Sequence, residues 1–278
     1  MHKHVWMVRL GDVQTSQAHI EGNELIVETG NKEHKVEYEQ IFHNNEENLV
    51  AAMTENLFQM TEDGTNTATF IFRHEIMRNF VVSVMSQHFQ LLLSMPSTKN
   101  IRFACVETTF NGMKDNINPS NRVRVIEHDD KTVCFNNVTF SEDLDVDLYN
   151  IIGCILQRMG CIFEVRFTHL GTEKLFKIVF LNSLRLPKTN PTGQSFREAV
   201  SISISIPSFG EIVKSLLEKR KYVPWRNSAV THYIKDSFTL YDRWTYVCVT
   251  SFAQIEETVA MLKYSTRLQI LANRSLSE

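Results

Sequence analysis

Four cations, Lys219, Arg220, Lys221 and Arg226, fall within eight residues of a 278-residue chain whose net charge is −3. With Lys214, Lys235 and Arg243 around them, they are the side chains best suited to hold an acidic surface. Most charge runs are simply solvated, since an exposed ion pair is worth only about 0–1 kcal/mol. Glu218 and Asp236 dilute the run, so any binding is expected to be weak and sensitive to salt. The net negative charge argues against a general polyanion binder, and no nucleic-acid partner is expected. Little else points to chemistry. The ten histidines are scattered without ligand spacing, and no Ser/His/Asp or Cys/His pair stands out, so neither a catalytic group nor a metal site is expected. Cys105, Cys134, Cys154, Cys161 and Cys248 form an odd set without a CxxC pair, which suggests reduced thiols of the cytosol or nucleus rather than disulfides or a zinc site. Met77, Met85 and Met95 suit core filling better than a partner groove.

The elements that must carry these cations are legible. Ser208 and Glu211 form a capping box for a helix with Ile212, Val213, Leu216 and Leu217 inward, ending at the basic tip. Val223-Pro224 forces an extended turn, after which Asn227 or Ser228 caps a second helix with Val230, Tyr233 and Ile234 on one face. A buried strand, Trp244 to Val249, and a helix with Ile255, Val259, Leu262 and Thr266 inward close the chain, Glu256 and Glu257 favouring that helix's start. Upstream, strands are predicted at 5–10, 24–28, 34–38, 67–72, 101–108, 161–167 and 174–180, with a hairpin over 122–126 and 131–135. Helices are predicted from Asn45 to Asp63-Gly64, over 81–93 and over 145–156. Asn111 to Arg122 reads as a polar surface loop. Hydrophobic content of 43% with 22% charge excludes disorder as the default, and no linker divides the chain. No apolar run approaches the roughly 18 residues of a membrane span, no signal peptide follows Met1, and no membrane partner is expected.

The segment from Ser201 to Asn273 resembles the C-terminal third of a kinesin motor domain. Ile202, Ser205, Ile206, Gly210, Ile212 and Val213 match its INKSLxxLGxVI pattern. Val223, Pro224, Trp225, Arg226, Ser228, Thr231, Asp236 and Ser237 match VPYRxSKLTxLLxDS, and Glu257, Thr258, Leu262 and Tyr264 match ETLxxLRFA. Ala229 stands where the family has lysine, and Phe238 to Tyr241 replace its glycine pair. The resemblance implies an α/β fold with a kinesin-motor-like central mixed β-sheet flanked by helices on both faces. It also assigns the cations named above to contact with the microtubule.

The same resemblance places an ATP site where its chemistry is missing. Asp63, Gly64 and Asn66 match the family's DGYN, which puts the phosphate loop on residues 73 to 80, from Arg73 to Phe80. A functional P-loop needs glycines whose N–H groups close around phosphate, a lysine for the β and γ phosphates and a hydroxyl for magnesium. No glycine occurs between Gly64 and Gly112, Asn79 replaces the lysine and Phe80 the threonine. At the serine-rich switch, residues 156 to 160 keep Arg158 alone. At the second switch, residues 180 to 185, from Phe180 to Arg185, keep neither the aspartate nor the glutamate. A plain strand-to-helix connection is therefore expected at residues 73 to 80, with no nucleotide cofactor and no ATPase activity. Phe72, Phe80 and Phe180 are expected to fill the former cleft.

Within the family, the resemblance runs to the noncatalytic accessory subunits of fungal heterodimeric kinesin-14 motors. It implies a single motor-homology domain over residues 1 to 278 that binds microtubules. The domain would be joined to a catalytic kinesin-14 subunit by a coiled coil preceding Met1 in a longer protein, and would work in the cytoplasm or nucleus on spindle, spindle-pole or cytoplasmic microtubules. Two other classes stay open. A divergent active kinesin ATPase would bind nucleotide saturably. A docking module without tubulin contact would be unaffected by charge reversal at Lys219, Arg220 and Lys221.

Overall fold

The computed structural model describes residues 2–10, 17–43, 46–62, 65–73, 78–109, 112–142, 161–182, 207–241, 243–251 and 255–274. Its centre is a ten-stranded mixed sheet. The parallel half runs through β5 (Gln40–His43), β1 (His2–Leu10), β13 (Arg243–Ser251), β6 (Thr67–Arg73) and β12 (Thr172–Asn182). The antiparallel half continues from β12 through β11 (Cys161–His169), β7 (Thr98–Thr109), β8 (Gly112–Asp115) and β9 (Arg122–Glu127) to β10 (Val133–Asn136). A separate three-stranded sheet is formed by β2 (Ala18–Glu21), β3 (Glu24–Thr29) and β4 (Lys32–Glu37).

The central parallel strands are apolar without alternation because both of their faces are covered. Phe70 and Phe72 of β6, and Trp244, Tyr246 and Cys248 of β13, point to one face; Ile71, Val247 and Val249 point to the other. The second face is covered by α1 (Glu46–Glu62) and α2 (Arg78–Ser94), through Leu49, Val50, Met53, Phe89 and Leu92. The first is covered by α3, over residues 207–217, by the short helices α4 (Ala229–Tyr233) and α5 (Lys235–Thr239), and by α6 (Ile255–Arg274). Helices thus flank a central mixed sheet on both faces, as expected.

Three expectations are corrected. Residues 112–115 within the expected loop form β8, and buried Asp115 braces the adjoining turn by accepting the N–H groups of Ile117, Asn118 and Thr139 and the Asn121 amide. This strand is short and polar, so it carries none of the alternation that betrays a strand. Ser208 is not an N-cap, because helix α3 already includes Pro207, a residue the first turn tolerates. The second helix of the cationic segment is broken at Ile234 into α4 and α5. The expected helix at 145–156 and the Asn45 and Asp63-Gly64 boundaries lie outside the described residues.

Candidate functional site

The cationic segment is shaped by two helix ends. At the end of α3, the Arg220 N–H bonds the Ser215 carbonyl at 3.0 Å and the Lys219 N–H bonds the Leu216 carbonyl at 3.1 Å. This is a Schellman cap with Lys219 in the left-handed position, at φ 49°. The chain reverses there and projects residues 220–222 outward. After Pro224, a 3-10 turn (Trp225–Asn227) leads to Ser228, which caps α4. Its hydroxyl accepts the Thr231 N–H, and the Thr231 hydroxyl oxygen accepts the Ser228 N–H, both at 3.1 Å. Of the two cap residues considered, Ser228 is used because its backbone is extended there.

The structure divides the seven candidate cations. Lys221 and Arg226 are exposed, Lys214 is half-buried, and none of the three has an ion-pair partner among the described residues. Arg220 is held by Glu211 and Glu218, each at 2.6 Å, so much of its charge is answered locally. Lys235 reaches across to Glu127 of β9 at 2.6 Å, and this hydrogen bond draws the Glu127 carboxyl below its usual range. Arg243 opens β13 in register with His2 and Thr67 and so belongs to the sheet. The sequence patterns did not single out three further cations. Lys114 of β8 stands directly opposite Arg122 of β9, and Arg124 lies two residues on, hence on the same face. All three are exposed and without an ion-pair partner among the described residues. The Arg122-x-Arg124 alternation was visible in the sequence, whereas Lys114 joins it only through strand register.

Of the positions that the resemblance assigns to nucleotide, Arg73 ends β6 opposite Asn182, and Asn79 and Phe80 stand in the first turn of α2. The side chains of these three, and all of Arg158 and Arg185, lie outside the described residues. Phe180 is buried edge-on against Phe163 at 6.0 Å, beneath α1 and α2. Phe72 packs against Phe209 and Tyr246, each at 5.4 Å, and Tyr264 at 5.8 Å. The two rings therefore fill opposite faces of the sheet. Phe238, in place of a family glycine, stacks on Phe70 at 5.1 Å and tilts against Trp244 at 5.5 Å. No cluster of three or more metal-ligating side chains occurs among the described residues.

This architecture is a kinesin motor fold. The motor and motor homology domain of Kar3Vik1, fused to a synthetic heterodimeric coiled coil, superposes with TM-score 0.72 at 18% identity, over 96% of this chain and 84% of that one. The Kar3-like kinesin motor domain from Ashbya gossypii gives 0.73 at 17% identity, over 97% of this chain and all of that one. In sequence, residues 176–271 match the kinesin motor domain family. Kinesin-14 proteins are among the relatives. KIN-14T of Arabidopsis thaliana is 30% identical over 122 residues, 41% of this chain, and KIN-14E of Oryza sativa subsp. japonica is 24% identical over 224 residues, 77% of this chain. The matches span 14% and 20% of those two proteins, so this chain corresponds to a minor part of their length.

Proposed function

We propose that this domain is a non-catalytic microtubule-binding head, the accessory subunit of a heterodimeric, minus-end-directed kinesin-14 whose catalytic partner joins it through an N-terminal coiled coil. One observation carries the reading. The segment from Val223 to Ser237 keeps its kinesin pattern, with Arg226 in it and Lys221 just before it free of ion-pair partners among the described residues, while the sequence lacks the glycines, lysine, hydroxyl and switch carboxylates that a nucleotide would need. The head would hold the lattice in one nucleotide-independent mode, and strain from the partner's ATP cycle would release it. Such a subunit would act on spindle, spindle-pole or cytoplasmic microtubules.

The test is cosedimentation of the chain with microtubules over a salt series, without nucleotide and then with ATP or ADP. Saturable, salt-sensitive binding that ignores nucleotide is expected, together with no saturable signal from a mant-nucleotide. Nucleotide-dependent affinity would overturn the reading in favour of an active motor. Absence of binding at low salt would overturn it in favour of a docking module.

A further inference from the structure

Lys177 lies in β12 directly opposite Glu164 of β11, and both are fully buried on the sheet face beneath α4 and α5. An ammonium there is tolerated only if its protons are answered. Its Nζ reaches four oxygens: Asp236 Oδ1 at 2.7 Å and Oδ2 at 2.8 Å, the Val133 carbonyl at 2.9 Å and the Tyr233 carbonyl at 3.3 Å. The Tyr233 ring also lies 4.2 Å from it. Asp236 in turn accepts the Val133 N–H at 3.0 Å and the Tyr241 hydroxyl at 3.2 Å. The Tyr233 hydroxyl donates to Glu164 at 2.6 Å. One ion pair therefore uses both backbone groups of Val133 on the edge strand β10 and joins them to α4, α5 and the middle of the sheet.

Apolar side chains of similar volume often replace a buried ion pair without loss of stability, and in some proteins what the pair adds is a single defined geometry. We propose that Lys177 is a positioning residue. Its contacts with Asp236, Val133 and Tyr233 fix residues 225–239, and with them Arg226, in a single orientation on the sheet before any partner is met. The Lys235–Glu127 bond ties the same helix to the same hairpin a second time. A cationic surface preset in this way loses no affinity to an ordering step. The proposal rests on the microtubule-binding reading, and it locates the rigidity of that head in residues outside the nucleotide motifs.

The test is the variant Lys177→Met/Asp236→Asn, which removes both charges and leaves an acceptor for the Val133 N–H. Amide hydrogen exchange and microtubule cosedimentation are measured on it and on the parent. Faster exchange over residues 229–239, unchanged exchange in α6, and affinity lower by about tenfold are expected, as when the competent fraction drops to about a tenth. Unchanged exchange over 229–239 would overturn the proposal, as would faster exchange with parent affinity. If the parent itself does not bind microtubules while the variant's exchange rises, the binding reading fails and the positioning of the segment stands. Should the double variant not fold, Tyr241→Phe, which removes one hydrogen bond from Asp236 and leaves both charges paired, is read by the same two measurements.

Discussion

Lys219 shows how one residue serves both backbone and charge. A non-glycine residue in the left-handed region costs about 1–2 kcal/mol, and Lys219 occupies that region because the Schellman cap of α3 demands it. Lys219→Gly should therefore raise stability by about 0.5–1 kcal/mol in urea unfolding while weakening microtubule binding, because geometry is kept and a charge is lost. The neighbouring cations should separate in the same assay. Lys221→Ala and Arg226→Ala should each lower affinity and flatten its salt dependence. Lys235→Ala should mainly reduce stability, by up to about 1 kcal/mol, because its ammonium is committed to Glu127. Equal losses of affinity from all three would contradict the division of charges seen here. The sequence set Lys219, Arg220, Lys221 and Arg226 ahead of the other three, but nothing in it shows that Glu127 lies against Lys235 or Glu211 against Arg220.

At the scale of elements, the contact between α3 and α6 depends on Gly210. A Cβ at this position would sit 2.5 Å from the Tyr264 ring. Gly210→Ala should thus cost about 1–3 kcal/mol by overpacking, read as a lowered urea midpoint. Tyr264→Leu in the same background should recover part of the loss; no recovery would place the strain elsewhere. Both residues belong to the kinesin-like pattern, yet their proximity is a packing fact, since 54 positions separate them in sequence. The Ser228 cap is the opposite case. Its partner Thr231 is three residues away, so the helix start could be read from the chain, and Ser228→Ala is expected to cost about 1 kcal/mol.

Across the whole molecule, the sheet carries two apolar layers, and a group of buried hydroxyls and a thiol lies beneath α6. Burial is the largest influence on Cys248, pushing its thiol from 9.0 to about 11, and it likewise drives the phenols of Tyr38 and Tyr246 well above their ordinary range. Each group is an acid whose folded pKa is raised, so its neutral form stabilises the fold below the unfolded pKa. That contribution is lost as pH rises through the folded value. Stability should accordingly fall steeply above about pH 9–10. The rise of tyrosinate absorbance of these phenols should coincide with loss of the far-ultraviolet circular dichroism of the sheet. Ionisation of all tyrosines with the circular dichroism intact would show that the α6 layer does not seal them.

The sequence by itself determined four of the five strands of the parallel half, β5 being missed, and the Ser228 cap of α4. Those features depend on short-range rules: continuous β-branched and aromatic runs for strands buried on both faces, proline and serine at defined spacings for caps. It also determined that the groups a phosphate loop requires are missing from residues 73 to 80. Tertiary structure decided what distance in the chain conceals. The strand β8 became a strand through pairing, Lys114 joined Arg122 through register, and Lys177 was matched with an aspartate 59 residues away. A lysine amid apolar strand residues is indistinguishable in sequence from an exposed one, because the partner that makes its burial tolerable comes from another part of the chain.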